Sequence, residues 1–245
     1  MKTKIPYLTF AALLTTSLAS QAEVLYQSDF TGTTLDSAGL TKSAGAAGGS
    51  WEIDTTNDQL DGVGGGNARS NVSTIDAFAL ADGYKGYTLD VTFRWTDTSP
   101  NRFDFGLVDG NYTISGSGAW LSSSLAGAYG VGFSPTIGAD GLAFNNDAGT
   151  RTTLSTAQGD ITTATQTMSM IVTDESWSYS LNGAAATTGT FADLGLDPFD
   201  TNRSYRFTAH AQSNNGATFD NITITAIRPD WEGGTGNWDT GFTHG

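Results

Sequence analysis

The chain has 245 residues, with 25 acidic against 11 basic side chains and a formal net charge of −14. That balance repels nucleic-acid phosphates and anionic membrane surfaces, so it excludes electrostatic binding to either and favours cations or neutral ligands. There is no cysteine, which removes disulfide staples and thiol chemistry and leaves the hydrophobic core to hold the fold alone.

Residues 1–22 read as a secretory signal. Lys2 and Lys4 precede an apolar run from Ile5 to Leu18, and Ser20-Gln21-Ala22 supplies small residues at the positions a signal peptidase inspects. The run is too short for a membrane span, and no later stretch approaches that length. The expected localisation is secreted, extracellular or at the cell surface, without membrane insertion. Cleavage after Ala22 would remove two lysines and leave the chain more acidic. The remainder fits a single domain over 23–228. Its composition, with 31 glycines, scarce lysine and glutamate, and abundant Ser, Thr, Asn and Asp, disfavours helices and suits short strands joined by tight turns.

Val24 to Phe30 reads as the first strand, and residues 31–50 as a long surface loop. Trp51-Glu52-Ile53 and Gln59-Leu60 form a hairpin with Asp54–Asp58 as its turn. Residues 62–71 are glycine-rich and loop-like, and Ile75 to Leu80 reads as a strand. The clearest pattern is 87–95, where Tyr87, Leu89, Val91, Phe93 and Trp95 alternate with Thr88, Asp90, Thr92 and Arg94. A strand repeats every two residues, so one face is dry and the other wet. Arg102 to Asp109 repeats the pattern through Phe103, Phe105 and Leu107. Residues 111–127 are Ser/Gly-rich around Trp120.

Tyr129, Val131 and Phe133 mark a further strand, and Asp140-Gly141 a turn before Leu142-Ala143-Phe144. Thr165–Thr173 and Ser176–Asn182 form a hairpin turning at Asp174-Glu175, and Asn182-Gly183 ends the second strand. Tyr205, Phe207 and Ala209 mark the next strand, and Ala217 to Ile227 the last. The apolar phase slips between Phe219 and Ile222, which predicts a bulge at Asp220-Asn221. About a dozen antiparallel strands with half-polar faces imply an all-β, two-sheet jelly-roll sandwich. Residues 229–245 differ, with Asp230-Trp231 and Trp238-Asp239 flanking a Gly-rich stretch. This resembles the Trp-Gly units that open strand repeats in autotransporter-like surface proteins. It reads either as an unpacked tail or as the start of a repeat region in a larger surface protein.

Three segments resemble the concanavalin A-like lectin and glucanase superfamily. Asp29-Phe30-Thr31-Gly32 with Trp51-Glu52-Ile53 is similar to the first strands of laminin-G-like modules. Phe219-Asp220-Asn221-Ile222-Thr223-Ile224-Thr225 is similar to their final strand. Gly138-Ala139-Asp140-Gly141-Leu142-Ala143-Phe144 resembles the legume-lectin segment in which an aspartate holds the sugar. The resemblance covers roughly 24–227 and implies that Asp140, followed by Gly141, accepts hydrogen bonds from sugar hydroxyls, a strong arrangement for an ionised carboxylate. The alternative is that Asp140-Gly141 is a hairpin turn. The family's calcium motif is not reproduced after Asp140, although Asn145, Asn146 and Asp147 supply nearby oxygen donors.

Catalytic chemistry finds little support. The family's glucanases place two glutamates around an aspartate on one strand face, and hydrolysis needs two carboxylates about 5–9.5 Å apart. Glu52-Ile53-Asp54 begins that pattern, but Thr56 and Asn57 stand where the second glutamate belongs. Glu52 is therefore the one weak catalytic candidate, and the chain reads as leaning away from an enzyme. His210, on a polar strand face with Arg206 and Thr208, reads as solvated, and two histidines without cysteine cannot build a zinc site.

Binding is the better expectation. Trp51, Trp95 and Trp177 fall on apolar faces and belong to the core. Trp120 lies in a polar stretch and Tyr112 is close to it in sequence, so both are candidates for stacking on a sugar ring. No covalent cofactor is expected. Calcium is the metal these oxygen donors would select, with Asp29 and Asp220 as a candidate pair if the first and last strands meet, and Asp54, Asn57, Asp58 and Asp61 as a second cluster. The leading expectation is a non-catalytic, lectin-like carbohydrate-binding module for a polysaccharide or glycan. The alternatives are a structural or adhesive domain of a larger surface protein and a glucanase-type glycoside hydrolase.

Overall fold

The computed structural model describes residues 22–43, 45–64, 68–96, 103–113, 118, 121, 125–134, 141–156, 163–212, 216–228, 230–231 and 238–239. Their strands run in chain order β1 (Glu23–Ser28), β2 (Leu40–Lys42), β3 (Ser50–Asp54), β4 (Gln59–Val63), β5 (Arg69–Thr74) and β6 (Gly86–Trp95), then β7 (Phe103–Asp109), β8 (Gly130–Ser134), β9 (Gly141–Asn145) and β10 (Arg151–Thr156). They continue with β11 (Gln166–Thr173), β12 (Ser176–Leu181), β13 (Thr187–Thr190), β14 (Tyr205–Gln212), β15 (Ala217–Ile227), β16 (Asp230–Trp231) and β17 (Trp238–Asp239). Among these residues there are two large antiparallel sheets. One has eight strands in the order β13-β12-β11-β6-β15-β4-β3, with β1 also on β15. The other has seven, β10-β9-β8-β7-β14-β5-β2.

The alternation of 87–95 places β6 at the centre of the first sheet. Leu89 lies opposite Met170 on one side and Ile224 on the other, and Val91 opposite Met168 and Ile222. In the second sheet Phe105 lies between Ala209 and Phe133, and Leu107 between Phe207 and Val131. The two apolar faces meet through rings. Phe93 sits 5.1 Å from Phe105, Trp95 stacks on Phe103 at 5.1 Å, and Phe219 meets Phe105 edge-on at 5.4 Å. Each such ring removes about 150–250 Å² from water, which is how a chain without disulfides holds two sheets together. Trp51, Trp95 and Trp177 are all buried in this layer.

The expected bulge is present: the β15–β6 register shifts between Phe219 and Asn221. The extra residue lets Phe219 and Ile222 both face the core. Asn182 and Gly183 both have positive φ and close a tight turn through a bond from Ala184 N–H to the Leu181 carbonyl, the conformation for which Asn-Gly is suited.

Two expectations need correction. The 31–50 stretch is not all loop, since Leu40 anchors β2 in the core after a 3-10 turn at Asp36–Ala38. The strand near 75–80 lies earlier, as β5 (Arg69–Thr74), and Ile75–Leu80 contributes one bridge, Phe78 to Tyr205. β5 shows no alternation because both its faces are covered, so Ser70, Asn71, Ser73 and Thr74 are all buried. The edge strands β10 and β13 are threonine-rich, and an edge strand needs no continuous apolar face. The tail segments β16 and β17 pair with each other and with neither large sheet.

Candidate functional site

The outer face of the seven-stranded sheet carries unusual chemistry. Neighbouring strands set Asn71, His210 and Asp104 in one row. His210 is 1 % exposed, and Asn71 and Asp104 are equally buried. This overturns the reading of His210 as a solvated residue. Described residues of the stretch after β7, among them Gly118, Leu121, Leu125 and Ala128, lie against this face and cover it. The Leu121 N–H donates to Asp104 Oδ2 at 3.2 Å, and Asn71 Nδ2 donates to the Gly118 carbonyl at 3.2 Å. Beside that row Val108, Leu121, Ala128 and Ala143 form a second small core, with Tyr112 and Leu125 against it. Small residues in the sheet below make room: a Cβ on Gly106 would lie 2.4 Å from Gly132 Cα and 2.3 Å from the Val131 carbonyl.

The same face also lines a pocket of about 250 Å³. Its floor is the polar outer side of β2, β5 and β14, with Thr41, Asn71, Ser73, Arg206 and Thr208. Ser43 flanks it, and Val108, Tyr112 and Thr113 form the opposite wall. The volume is below the 300–1,000 Å³ of pockets that enclose drug-sized ligands, so it suits one ring or one substituent of a longer molecule. Burial pushes the Tyr112 phenol up from its ordinary range, so the ring is neutral and offers both a π-face and a hydroxyl. Thr208 is fully buried, and its Oγ1 has no partner among the described residues. The His210 ring lies directly behind, with Nδ1 3.1 Å from Asn71 Oδ1, and fixes the amide that reaches the floor.

The neighbouring rim is locked by Arg203. Its Nη1 and Nη2 bind the two Asp147 oxygens at 2.8 and 2.7 Å, Nη1 also binds Asp109 Oδ2 at 2.8 Å, and Nε binds Asp200 Oδ2 at 3.0 Å. The guanidinium lies 4.0 Å over the Tyr129 ring. Its hydrogen bond holds the Asp147 carboxyl below the usual carboxylate range. Asp200 is also lowered: burial opposes this, and the bonds from Arg203 and Asn202 outweigh it. Asp109, which borders the pocket, spends Oδ1 on the Asn111 N–H and Oδ2 on Arg203.

Solved structures with the same arrangement identify the fold. A lectin from Bauhinia forficata in complex with GalNAc superposes with a TM-score of 0.57 at 9% identity, covering 85% of this chain and 99% of that one. The fold is the concanavalin A-like sandwich. An endo-1,3-β-glucanase from Streptomyces sioyaensis matches with a TM-score of 0.56 at 12% identity, over 86% and 98% of the two chains. The potassium-bound form of the Emp46p carbohydrate recognition domain gives 0.55 at 12%, over 80% and 93%. No family model and no curated protein matches the sequence.

On this concanavalin A-like frame the sequence-derived candidates separate. Tyr112 is on the pocket wall. Trp120 and Asp140 lie outside the described residues. Gly141 pairs with Thr156, and a Cβ there would fall 2.0 Å from the Ser155 carbonyl, so a glycine is required by the ladder itself. Asn145 is buried and its amide donates to the Leu125 and Ala128 carbonyls at 3.0 and 2.7 Å, pinning the covering chain. Asn146 Oδ1 accepts the Thr150 N–H at 2.8 Å and shapes the β9–β10 turn.

β1 and β15 do pair, with Ser28 opposite Ile222. The carboxylates at their ends are engaged separately, however: Asp29 with Thr31 at 3.0 Å and Asp220 with Gln59 at 2.5 Å. Asp54 closes its own turn through Thr56 and Asn57. Together with Asp147 on Arg203, these groups do not assemble a calcium shell, and no cluster of three metal-binding side chains occurs among the described residues.

Glu52 lies on the outer face of the eight-stranded sheet, opposite Asp61. Burial, and then the Asp54 and Asp220 charges, push the Asp61 carboxyl up against the pull of Arg94. Sequence reading missed Asn71, Ser73, Arg206 and Thr208 as site residues. Its one usable signal was the polar phase of β14, where Arg206, Thr208 and His210 alternate with Tyr205, Phe207 and Ala209.

Proposed function

We propose that this chain is a carbohydrate-binding module and that it grips sugar in the pocket on the outer face of the seven-stranded sheet. One observation carries the reading: a single aromatic side chain, Tyr112, stands across from an amide and several hydroxyls, Asn71, Ser73, Thr41 and Thr208, at the scale of one ring. Sugars present apolar C–H faces to rings and hydroxyls to amides and alcohols, so this mixture of donors and acceptors matches them. The names of the structural neighbours, a lectin, a carbohydrate recognition domain and a glucanase, support the same ligand class. The reading is non-catalytic. Asp109 borders the pocket as its one carboxylate among the described lining residues, and it is bound to Arg203. The leader-like residues 1–22 support action outside the cell.

Affinity electrophoresis of the mature domain through a panel of polysaccharides tests this. Retardation by at least one is expected, with Tyr112→Ala weakening it about tenfold, the size expected from losing one stacked ring and its hydroxyl. No retardation of the folded domain by any polysaccharide overturns it.

A second reading, a structural or adhesive domain of a larger surface protein, is supported by the pairing of Asp230–Trp231 with Trp238–Asp239 apart from both sheets. It expects further Trp-Gly units when the gene is read past Gly245.

A further inference from the structure

We infer that the sugar taken by this pocket carries an anionic group, a carboxylate or a sulfate ester, bound by Arg206. The inference rests on the carbohydrate-binding reading and adds the ligand's charge. Arg206 alternates with the core residues Tyr205 and Phe207, so its side chain leaves the outer face of β14 and lines the pocket. The chain has 25 acidic residues, yet among the described residues every ion pair belongs to Arg203 and none to Arg206.

The Arg206 Nε is buried without an acceptor among the described residues, and so is the Thr208 hydroxyl two residues on, on the same strand face. Leaving a buried donor unpaired is costly, and two in one pocket point to a ligand that supplies oxygens. Nε and its neighbouring Nη form one edge of the guanidinium fork, which matches the two oxygens of a carboxylate or sulfate. The chain as a whole is acidic and repels polyanions at long range, but Asp109, the carboxylate at the pocket border, has both oxygens engaged, by Arg203 at 2.8 Å and by the Asn111 N–H at 2.8 Å, away from an incoming anion.

The test compares retardation of the mature domain by alginate, by carrageenan and by a neutral β-1,3-glucan, at about 50 mM and at 500 mM salt. Stronger retardation by an anionic polymer is expected. It should be weakened by salt, fall about tenfold in Arg206→Gln, and fall less in Arg206→Lys, which keeps the charge and loses the fork. Alginate over carrageenan assigns a carboxylate, and the reverse a sulfate ester. If Arg206→Gln does not fold by circular dichroism, Arg206→Lys decides, since it keeps the charge and loses the fork: weaker retardation by the anionic polymer with retardation by the neutral glucan unchanged supports the inference, and no change overturns it. Retardation by the neutral glucan alone, or retardation indifferent to salt and to Arg206→Gln, overturns the inference and leaves carbohydrate binding standing. No retardation by any polymer overturns both.

Discussion

Two regions of this acidic chain handle charge in opposite ways. At the rim of the seven-stranded sheet, Arg203 collects Asp109, Asp147 and Asp200, while Arg206 beside it carries no acidic partner among the described residues. At the far corner of the eight-stranded sheet, Glu52 faces Asp61 across the β3–β4 pair, Asp54 and Asp220 add their charges, and Arg94 is the cation near them. The first region ties its three carboxylates to one shared guanidinium and leaves a second, that of Arg206, at a shaped cavity. The second leaves repulsion standing and relies on solvent to weaken it. Negative charge alone therefore does not mark a site here. The contrast is between an arrangement with partners assigned and one without.

The largest way to break this contrast is to remove Arg203. Arg203→Ala is expected to destabilise the domain by about 2 kcal/mol, the scale of losing charge-assisted hydrogen bonds in a partly exposed setting, read by urea denaturation at pH 7. The folded pKa values of Asp147 and Asp200 are depressed. Their contribution is thus complete above the unfolded carboxylate value of about 3.9 and is lost as pH falls through the lower folded values. The gap between wild type and Arg203→Ala should close below about pH 4, and a gap unchanged down to pH 2 would contradict this.

Next, Asn71→Ala is expected to cost about 1–2 kcal/mol, because His210 Nδ1 and the Gly118 carbonyl both lose their partner under cover. Thermal unfolding checks it, and a variant as stable as wild type would mean that the buried row is not holding the covering chain.

The smallest effect sharpens the other side. Asp61→Asn should stabilise the domain by roughly 0.2–1 kcal/mol, the scale of a like-charge cross-strand pair. Asp61 is raised in the fold, so the penalty is absent below its unfolded pKa and sets in as pH rises through the folded one. The gain should therefore be seen at pH 7 and vanish near pH 3. It should leave polysaccharide retardation unchanged, and a loss of retardation would move the binding site to the acidic corner.

The sandwich was legible because its central strands are one-sided. The alternation of 87–95 and the phase slip at Phe219–Ile222 follow from a dry face and a wet face, and the registers of β6 and β15 match them. Legibility failed where a strand has two covered faces or none. β5 buries serine and asparagine under the covering chain, and β10 and β13 are edges whose threonines show no rhythm. The same failure hid the candidate site. A polar residue at strand period reads as solvated, and nothing local in the sequence announces that a segment about ninety residues earlier will close over His210. Tyr112 was found from its neighbourhood, whereas Arg206 and Thr208 acquire meaning only when β14 is set beside β5 and β2.

The central claim is that the outer face of the seven-stranded sheet is the sugar-binding surface. Backbone amide chemical shifts recorded while a soluble oligosaccharide is titrated into the folded protein test it most directly. The account predicts that the largest changes fall on Thr41, Asn71, Ser73, Tyr112, Arg206 and Thr208. Changes confined to the Gly141–Asp147 segment, or to Glu52, Asp61 and Asp220, would contradict it.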